Sequence, residues 1–223
     1  MSFRIFASTL IVSLCAGAQA NLLNNGSFET PDIDDINNNG GSSWEVFTSI
    51  DGWTTESGTG IEIQKSGTVV NAYDGDQYVE LDSHDFTGES GSTNSFMVQQ
   101  LLGLNAGGLY ELSFWYQPRT NNEDDNGIDV YWSSTTSEFG ASVLTADGQS
   151  GSFGGWTNFS TTLVATAQEM YLGFQAFGTE NTLGGFLDDV TLTAVEVPEP
   201  ATLGLLALGI FGIGASRRYV KRA

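Results

Sequence analysis

Between residues 21 and 195, no stretch of twelve residues repeats apolar positions at helical spacing behind a cap. Short runs rich in Val, Ile, Tyr, Phe, Trp and Thr alternate with polar positions instead, and Gly, Asn, Asp and Ser clusters separate them. This pattern commits the region to strands, expected over 60–64, 77–82, 96–102, 109–117, 128–132, 157–164, 171–177 and 186–194. Asp51-Gly52, Asp74-Gly75, Asn126-Gly127 and Asp147-Gly148 supply pairs that tolerate a positive φ between those runs. Strands of this number, spaced by turns, imply an all-β antiparallel sandwich, most simply a jelly roll. The 28 glycines show no fixed period, which argues against a solenoid. The longest loops, 30–43 and 120–127, are rich in Asn and Asp.

The two chain ends differ from this middle. Met1-Ser-Phe-Arg4, an apolar run over 5–15 and Ala16-Gly-Ala-Gln-Ala20 have the three regions of a cleavable export signal. The Ala18-Gln19-Ala20 form places cleavage after Ala20, with the mature chain starting at Asn21. A retained anchor is the alternative, but a span needs about 20 apolar residues. Cys15 is the only cysteine and leaves with the signal, so the mature domain has no thiol or disulfide. At the other end, Val197-Pro198-Glu199-Pro200 precedes an uncharged run over 201–215, and 216–223 then carries four positive charges. Fifteen residues make about 22 Å of helix, short for a hydrocarbon core of about 30 Å. The basic cluster after it sets a short transmembrane helix with its end in the cytoplasm. The prolines stop that helix upstream and leave an extended peptide at the outer face. The expected layout is therefore a signal helix at 1–20, one domain at 21–196 and a sorting tail at 197–223.

All 27 Asp and Glu lie between Glu29 and Glu199, and of the 7 Lys and Arg only Lys65 and Arg119 share that stretch, so its formal charge is 2 − 27, or −25. Such a charge repels phosphate backbones, so nucleic-acid partners are excluded. Neutral ligands, cations and cationic surfaces remain.

The tail resembles the PEP-CTERM sorting signal of Gram-negative bacteria. In that family a membrane enzyme, an exosortase, is thought to recognise the Pro-Glu-Pro segment and release the protein from its anchor. This resemblance implies a passage through the inner membrane followed by release to the cell surface or the extracellular matrix. The domain is similar to galactose-binding-like jelly rolls, a fold shared by carbohydrate-binding modules and DUF642-type domains. The resemblance rests on Asn24-Asn-Gly-Ser-Phe-Glu29, Gly52-Trp53, the Asp74-to-Asp82 strand, Leu112-Ser-Phe-Trp-Tyr-Gln-Pro-Arg119 and Gly185-Phe-Leu-Asp-Asp-Val-Thr-Leu192. Sugar-binding members commonly hold a structural calcium where the first and last strands meet, which carries Glu29 and Asp188 over as carboxylate ligands with backbone carbonyls completing the shell. Asp188 shares strand parity with Val190 and Leu192 and is expected to face the core, where an unpaired carboxylate is costly. The alternative is that Asp188 caps backbone amides or meets Arg119.

Among the five tryptophans, Trp53, Trp115 and Trp156 read as core. Trp44, in a polar loop, and Trp132, at a strand end, are the candidates for stacking on sugar rings, with Arg119 and Asn121 as polar partners. Core packing is the alternative for each. Asp35-Ile-Asn37-Asn-Asn39-Gly40 and Asn122-Glu-Asp124-Asp-Asn126-Gly127 begin like EF-hand loops, but Val46 and Ser133 stand where the closing acid belongs. The lone His84 has no nucleophile elbow beside it and reads as a turn residue. A non-catalytic domain that binds neutral polysaccharide is the expected function. A structural matrix protein with no specific glycan is the alternative.

Overall fold

The computed structural model describes residues 19–35, 43–85, 92–122 and 124–196. The expected signal helix, the tail helix, Pro198, Glu199, Pro200 and the asparagines of 37–39 lie outside these residues. Twelve strands form: β1 (Trp44–Phe47), β2 (Ser49–Ile50), β3 (Trp53–Ser57), β4 (Ile61–Lys65), β5 (Gln77–Glu80), β6 (Phe96–Leu102), β7 (Leu109–Pro118), β8 (Gly127–Ser133), β9 (Leu144–Ala146), β10 (Thr157–Val164), β11 (Glu169–Phe177) and β12 (Gly185–Ala194). They make two six-stranded antiparallel sheets, β1-β4-β5-β12-β7-β10 and β2-β3-β6-β11-β8-β9. The described residues form an all-β jelly roll.

Alternation explains the long strands. In β7, Tyr110, Leu112, Phe114 and Tyr116 enter the core, whereas Glu111 and Trp115 stand on the other face. In β11, Met170, Leu172, Phe174 and Ala176 do the same from the second sheet. The eight expected strands are present within one to three residues at each end. The sequence reading missed β1, β2, β3 and β9, which are at most five residues long and carry few buried side chains.

The Asn24-to-Glu29 motif is a hook that joins the first residues to the last strand. The Asn21 side chain accepts the Leu192 amide at 2.9 Å and donates to the Val190 carbonyl at 3.1 Å. Gly26 accepts the Val190 amide at 2.8 Å, and a Cβ on Gly26 would lie 2.1 Å from the Val190 carbonyl oxygen, so only glycine allows that approach. Trp53 closes the hook from the core side, its indole donating to the Asn25 carbonyl at 3.2 Å.

Two sequence expectations fail here. Asn126-Gly127 is not a positive-φ turn: Gly127 begins β8, and the Phe177 ring fills the space of its missing Cβ. Of the three tryptophans read as core, only Trp53 is in it; Trp115 and Trp156 are half-buried on the outer face of the first sheet.

Candidate functional site

The outer face of the first sheet carries the site. Register places Trp44 opposite Gln64 and Gln64 opposite Tyr78, and aligns Glu62, Glu80, Phe186 and Gln117 in the next row across four strands. A row on an outer face is ordinarily wet, yet Glu62, Gln64 and Glu80 are 4%, 2% and 0% exposed. Several segments stand over it: His84, Arg119 and Gly184 bond Glu62 and Glu80, and the 66–76 loop between β4 and β5 folds back over the neighbouring rows. Its Val69 and Val70 amides donate to the Tyr78 hydroxyl at 3.2 Å, its Asn71 carbonyl accepts from the Trp156 indole at 2.9 Å, and the Tyr73 ring stacks on Trp115 at 3.8 Å.

The buried polar row is fully connected, which is the condition under which such groups are tolerated. Gln64 Nε2 donates to Glu62 at 2.8 Å and to Glu80 at 2.5 Å, while Gln64 Oε1 accepts from the Tyr78 hydroxyl at 2.8 Å. Glu80 also accepts from Arg119 Nη1 at 2.5 Å and from the Gly184 amide at 2.8 Å, and Glu62 from the His84 amide at 2.7 Å. Arg119 further binds the Thr182 carbonyl at 3.1 Å. Burial pushes the Glu62 carboxyl up, and it pushes Glu80 well above the usual range with help from the neighbouring Glu62 charge. Arg119 and the amides pull the other way.

Over this floor lies a depression of about 120 Å³ walled by Trp44, His84, Arg119 and Thr182. The Trp44 and His84 rings are 5.0 Å apart. Trp44 and Arg119 thus line the same depression. Asn121 is exposed on the 119–126 loop, and Trp132 belongs to the second sheet, packed against the core with its indole donating to the Val164 carbonyl at 2.8 Å; neither lines the depression. Glu62, Gln64 and Glu80 escaped the sequence reading because alternation assigns their face to solvent, and Thr182 because it lies in the loop before β12. The local signal was the Glu-Ile-Gln-Lys of β4, which repeats a hydrogen-bonding side chain every second residue.

At a second corner, Glu29 and Asp188 each anchor part of one segment, the start of β5 and the loop before it. Glu29 accepts the Asp76 and Gln77 amides at 3.0 and 2.9 Å. Asp188 accepts those of Tyr73 and Asp74 at 2.7 and 3.0 Å, and that of Asp189 at 2.7 Å. Asp188 does not share parity with Val190 and Leu192, contrary to expectation. A bulge lies between Asp188 and Thr191, with Asp189 at φ 44°, so Leu187, Val190 and Leu192 face the core and Asp188 faces out under the loop. It does not meet Arg119, whose carboxylate partner is Glu80. Burial raises the Asp188 pKa to about 7 against the pull of its three amides. Burial also raises Glu29, with repulsion from Asp76 and Asp74 adding to it, and Asp189, with repulsion from Asp74. Crowded, oxygen-only donors of this kind suit a hard cation. Among the described residues, no group of three or more His, Cys, Asp or Glu is placed to hold a metal ion.

Residues 196–218 match the PEP-CTERM protein-sorting motif. The chain is therefore an exported protein with a C-terminal membrane-anchored sorting signal. Halomucin of Haloquadratum walsbyi is 30% identical over 113 residues, 50% of this chain and 1% of that relative, so the chain spans only a small part of its length. Among solved structures, a Stig cyclase from Fischerella sp. TAU aligns over 81% of this chain and 100% of its own at 16% identity, with a TM-score of 0.53. The K1 cleaved adhesin domain of Lys-gingipain from Porphyromonas gingivalis W83 aligns over 69% of this chain and 98% of its own at 20% identity, with a TM-score of 0.50. Both share the fold.

Proposed function

We propose that the domain is a non-catalytic carbohydrate-binding module. In this reading an exosortase processes the tail at Pro198-Glu199-Pro200, and the domain is released to the cell surface or extracellular matrix, where it holds neutral polysaccharide. The observation that carries the binding reading is the depression itself: a half-buried tryptophan, Trp44, stands beside a guanidinium, Arg119, over a preorganised polar floor. A sugar ring offers C–H faces for the indole and hydroxyls for the guanidinium, and the strongly acidic surface favours an uncharged glycan over an anionic one. The carboxylate oxygens of Glu62 and Glu80 accept from Gln64, Arg119 and the His84 and Gly184 amides, so they organise the pocket and do not serve as an acid–base pair. A calcium ion at Glu29 and Asp188 belongs to the same proposal, as a clamp on the loop that covers the sheet.

Titration of the mature protein with a panel of neutral polysaccharides tests the reading, with Trp44→Ala as the probe. Loss of one stacking residue weakens binding about tenfold, or roughly 1.4 kcal/mol, while the unfolding midpoint stays in place. Binding unchanged in Trp44→Ala rejects the site. One observation favours a purely structural matrix role: Tyr73 already stacks on Trp115, so the loop closes part of the aromatic face. Absence of binding to every glycan tested would support that role.

A further inference from the structure

The chain ends of the domain, several exposed aliphatic side chains and the start of the tail share one pole. At this pole β6, β10 and β12 finish and β7 and β11 begin. Val164 pairs with Leu109, Leu102 pairs with Glu169, and the Val195 amide donates to the Leu109 carbonyl at 2.9 Å. The two sheets are tied there, since the Gly107 amide donates to Ala165 at 2.7 Å and the Leu104 amide to Gln168 at 3.0 Å. The mature start arrives beside them, with the Leu22 amide on the Leu192 carbonyl at 2.8 Å. Leu22, Leu102, Leu109, Val164 and Val195 are 40%, 69%, 38%, 49% and 38% exposed. Leu22 and Leu102 border a hollow of about 340 Å³, whose lining also includes Leu104, Tyr110, Gln99 and Asn105. Exposed aliphatic residues thus rim this end of the domain, Leu109 and Val164 on the outer face of the first sheet and Leu102 on that of the second, and such a rim can serve as a contact site.

Chain geometry identifies what lies opposite. Between the end of β12 at Ala194 and the apolar run that starts at Ala201 there are six residues, 195–200. The seven steps from Ala194 to Ala201 reach at most about 25 Å when fully extended. The opposite pole lies across the length of β11, whose nine residues span about 30 Å. While the tail is in the membrane, the aliphatic pole is held within reach of the bilayer and the distal pole is not, so even a weak apolar contact is favoured by its high effective concentration. Glu111, Glu169 and Glu196 rim this pole and are exposed. They suit a zwitterionic headgroup bearing an ammonium and repel an anionic one.

We propose that the pole formed by Leu22, Leu102, Leu109, Val164 and Val195 is a membrane-resting surface, which seats the domain on zwitterionic lipid. The proposal rests on the tail acting as a membrane anchor. Its consequence is an orientation: the sheet face bearing Trp44 and Arg119 stands upright from the bilayer, and the pole becomes free when the tail is removed.

The test uses the full chain with Cys15→Ser, reconstituted in phosphatidylethanolamine and phosphatidylcholine vesicles. A fluorophore is attached at Leu102→Cys, at Val164→Cys as a second proximal position, or at Thr179→Cys on the distal pole. A lipid-borne nitroxide is expected to quench both proximal labels at least about threefold more than the distal one. Chain that fails to float with the vesicles overturns the anchor reading and this proposal with it. Chain that floats but is quenched equally at both poles overturns the proposal alone. Proximal labels shielded from aqueous iodide without lipid quenching also overturn it, since a second copy of the chain would then cover the surface.

Discussion

Replacing Arg119 by alanine tests the polar floor directly, because its guanidinium is the cation bonded to a carboxylate with no exposure of its own. Arg119 Nη1 lies 2.5 Å from Glu80 Oε2, with side-chain exposures of 22% and 0%. Breaking a buried pair by removing one partner costs about 3–5 kcal/mol. Arg119 is partly exposed, and Glu80 keeps its bonds from Gln64 and Gly184, so the lower end, about 3 kcal/mol, applies. In a domain of this size that is about 6–12 °C in the unfolding midpoint. Glu80 can escape the cost by taking up a proton, which sets the pH dependence. Its folded pKa already lies above 4.5, so the native state binds more protons than the unfolded chain, and stability falls as pH rises from 4.5 through the folded value. Loss of Arg119 pushes the folded value higher and extends that fall by up to about 1.4 kcal/mol per pH unit. The variant is therefore expected to lose about 3 kcal/mol near pH 8 and less than about half of that near pH 5, by urea unfolding followed with circular dichroism. Adding Glu80→Gln to the same chain should restore part of the loss near pH 8. A loss equal at both pH values, or a midpoint shift under about 2 °C near pH 8, refutes the charge-pair account.

Calcium added to chelator-treated protein is expected to raise the unfolding midpoint, by about 2.7 kcal/mol of stabilisation at a hundredfold excess over Kd. Glu29→Gln and Asp188→Asn should each remove that response, and an unchanged midpoint in the unaltered protein would reject the ion. Gly26→Ala, whose methyl would lie 2.1 Å from the Val190 carbonyl oxygen, should destabilise by about 2 kcal/mol in urea unfolding; a neutral change would mean that the hook does not bind the first residues to β12. Replacing Pro198-Glu199-Pro200 with alanines is expected to leave the chain in the membrane fraction of its native host, whereas the unaltered protein should appear in the medium or matrix with Asn21 as its first residue. Equal release of both would show that processing does not read this segment.

The parts legible in the sequence are those written in neighbouring residues. Tyr110, Leu112, Phe114 and Tyr116 announce β7 because a strand turns alternate side chains to one face whatever its partner, and the tail declares itself by the order of its three compositions. Trp44 and Arg119 were recognisable as residue types suited to a sugar, although nothing local says that they meet.

Tertiary structure decided the rest, for reasons no short window contains. The bulge at Asp189 reverses the face of Asp188, and the Val190 amide within it finds its acceptor in Gly26 of the N-terminal hook, far off in the sequence. Glu62, Gln64 and Glu80 become a buried network because His84, Arg119, Gly184 and the 66–76 loop gather over an outer face that strand periodicity leaves to water. Trp115 and Trp132 change places in the same way: one leaves the core and the other packs against it, since a tryptophan's surroundings depend on the sheet and the face that carry it. Alternation is a property of one strand and can be read from it; burial is a property of what lies on top, and that is set by contacts between distant segments.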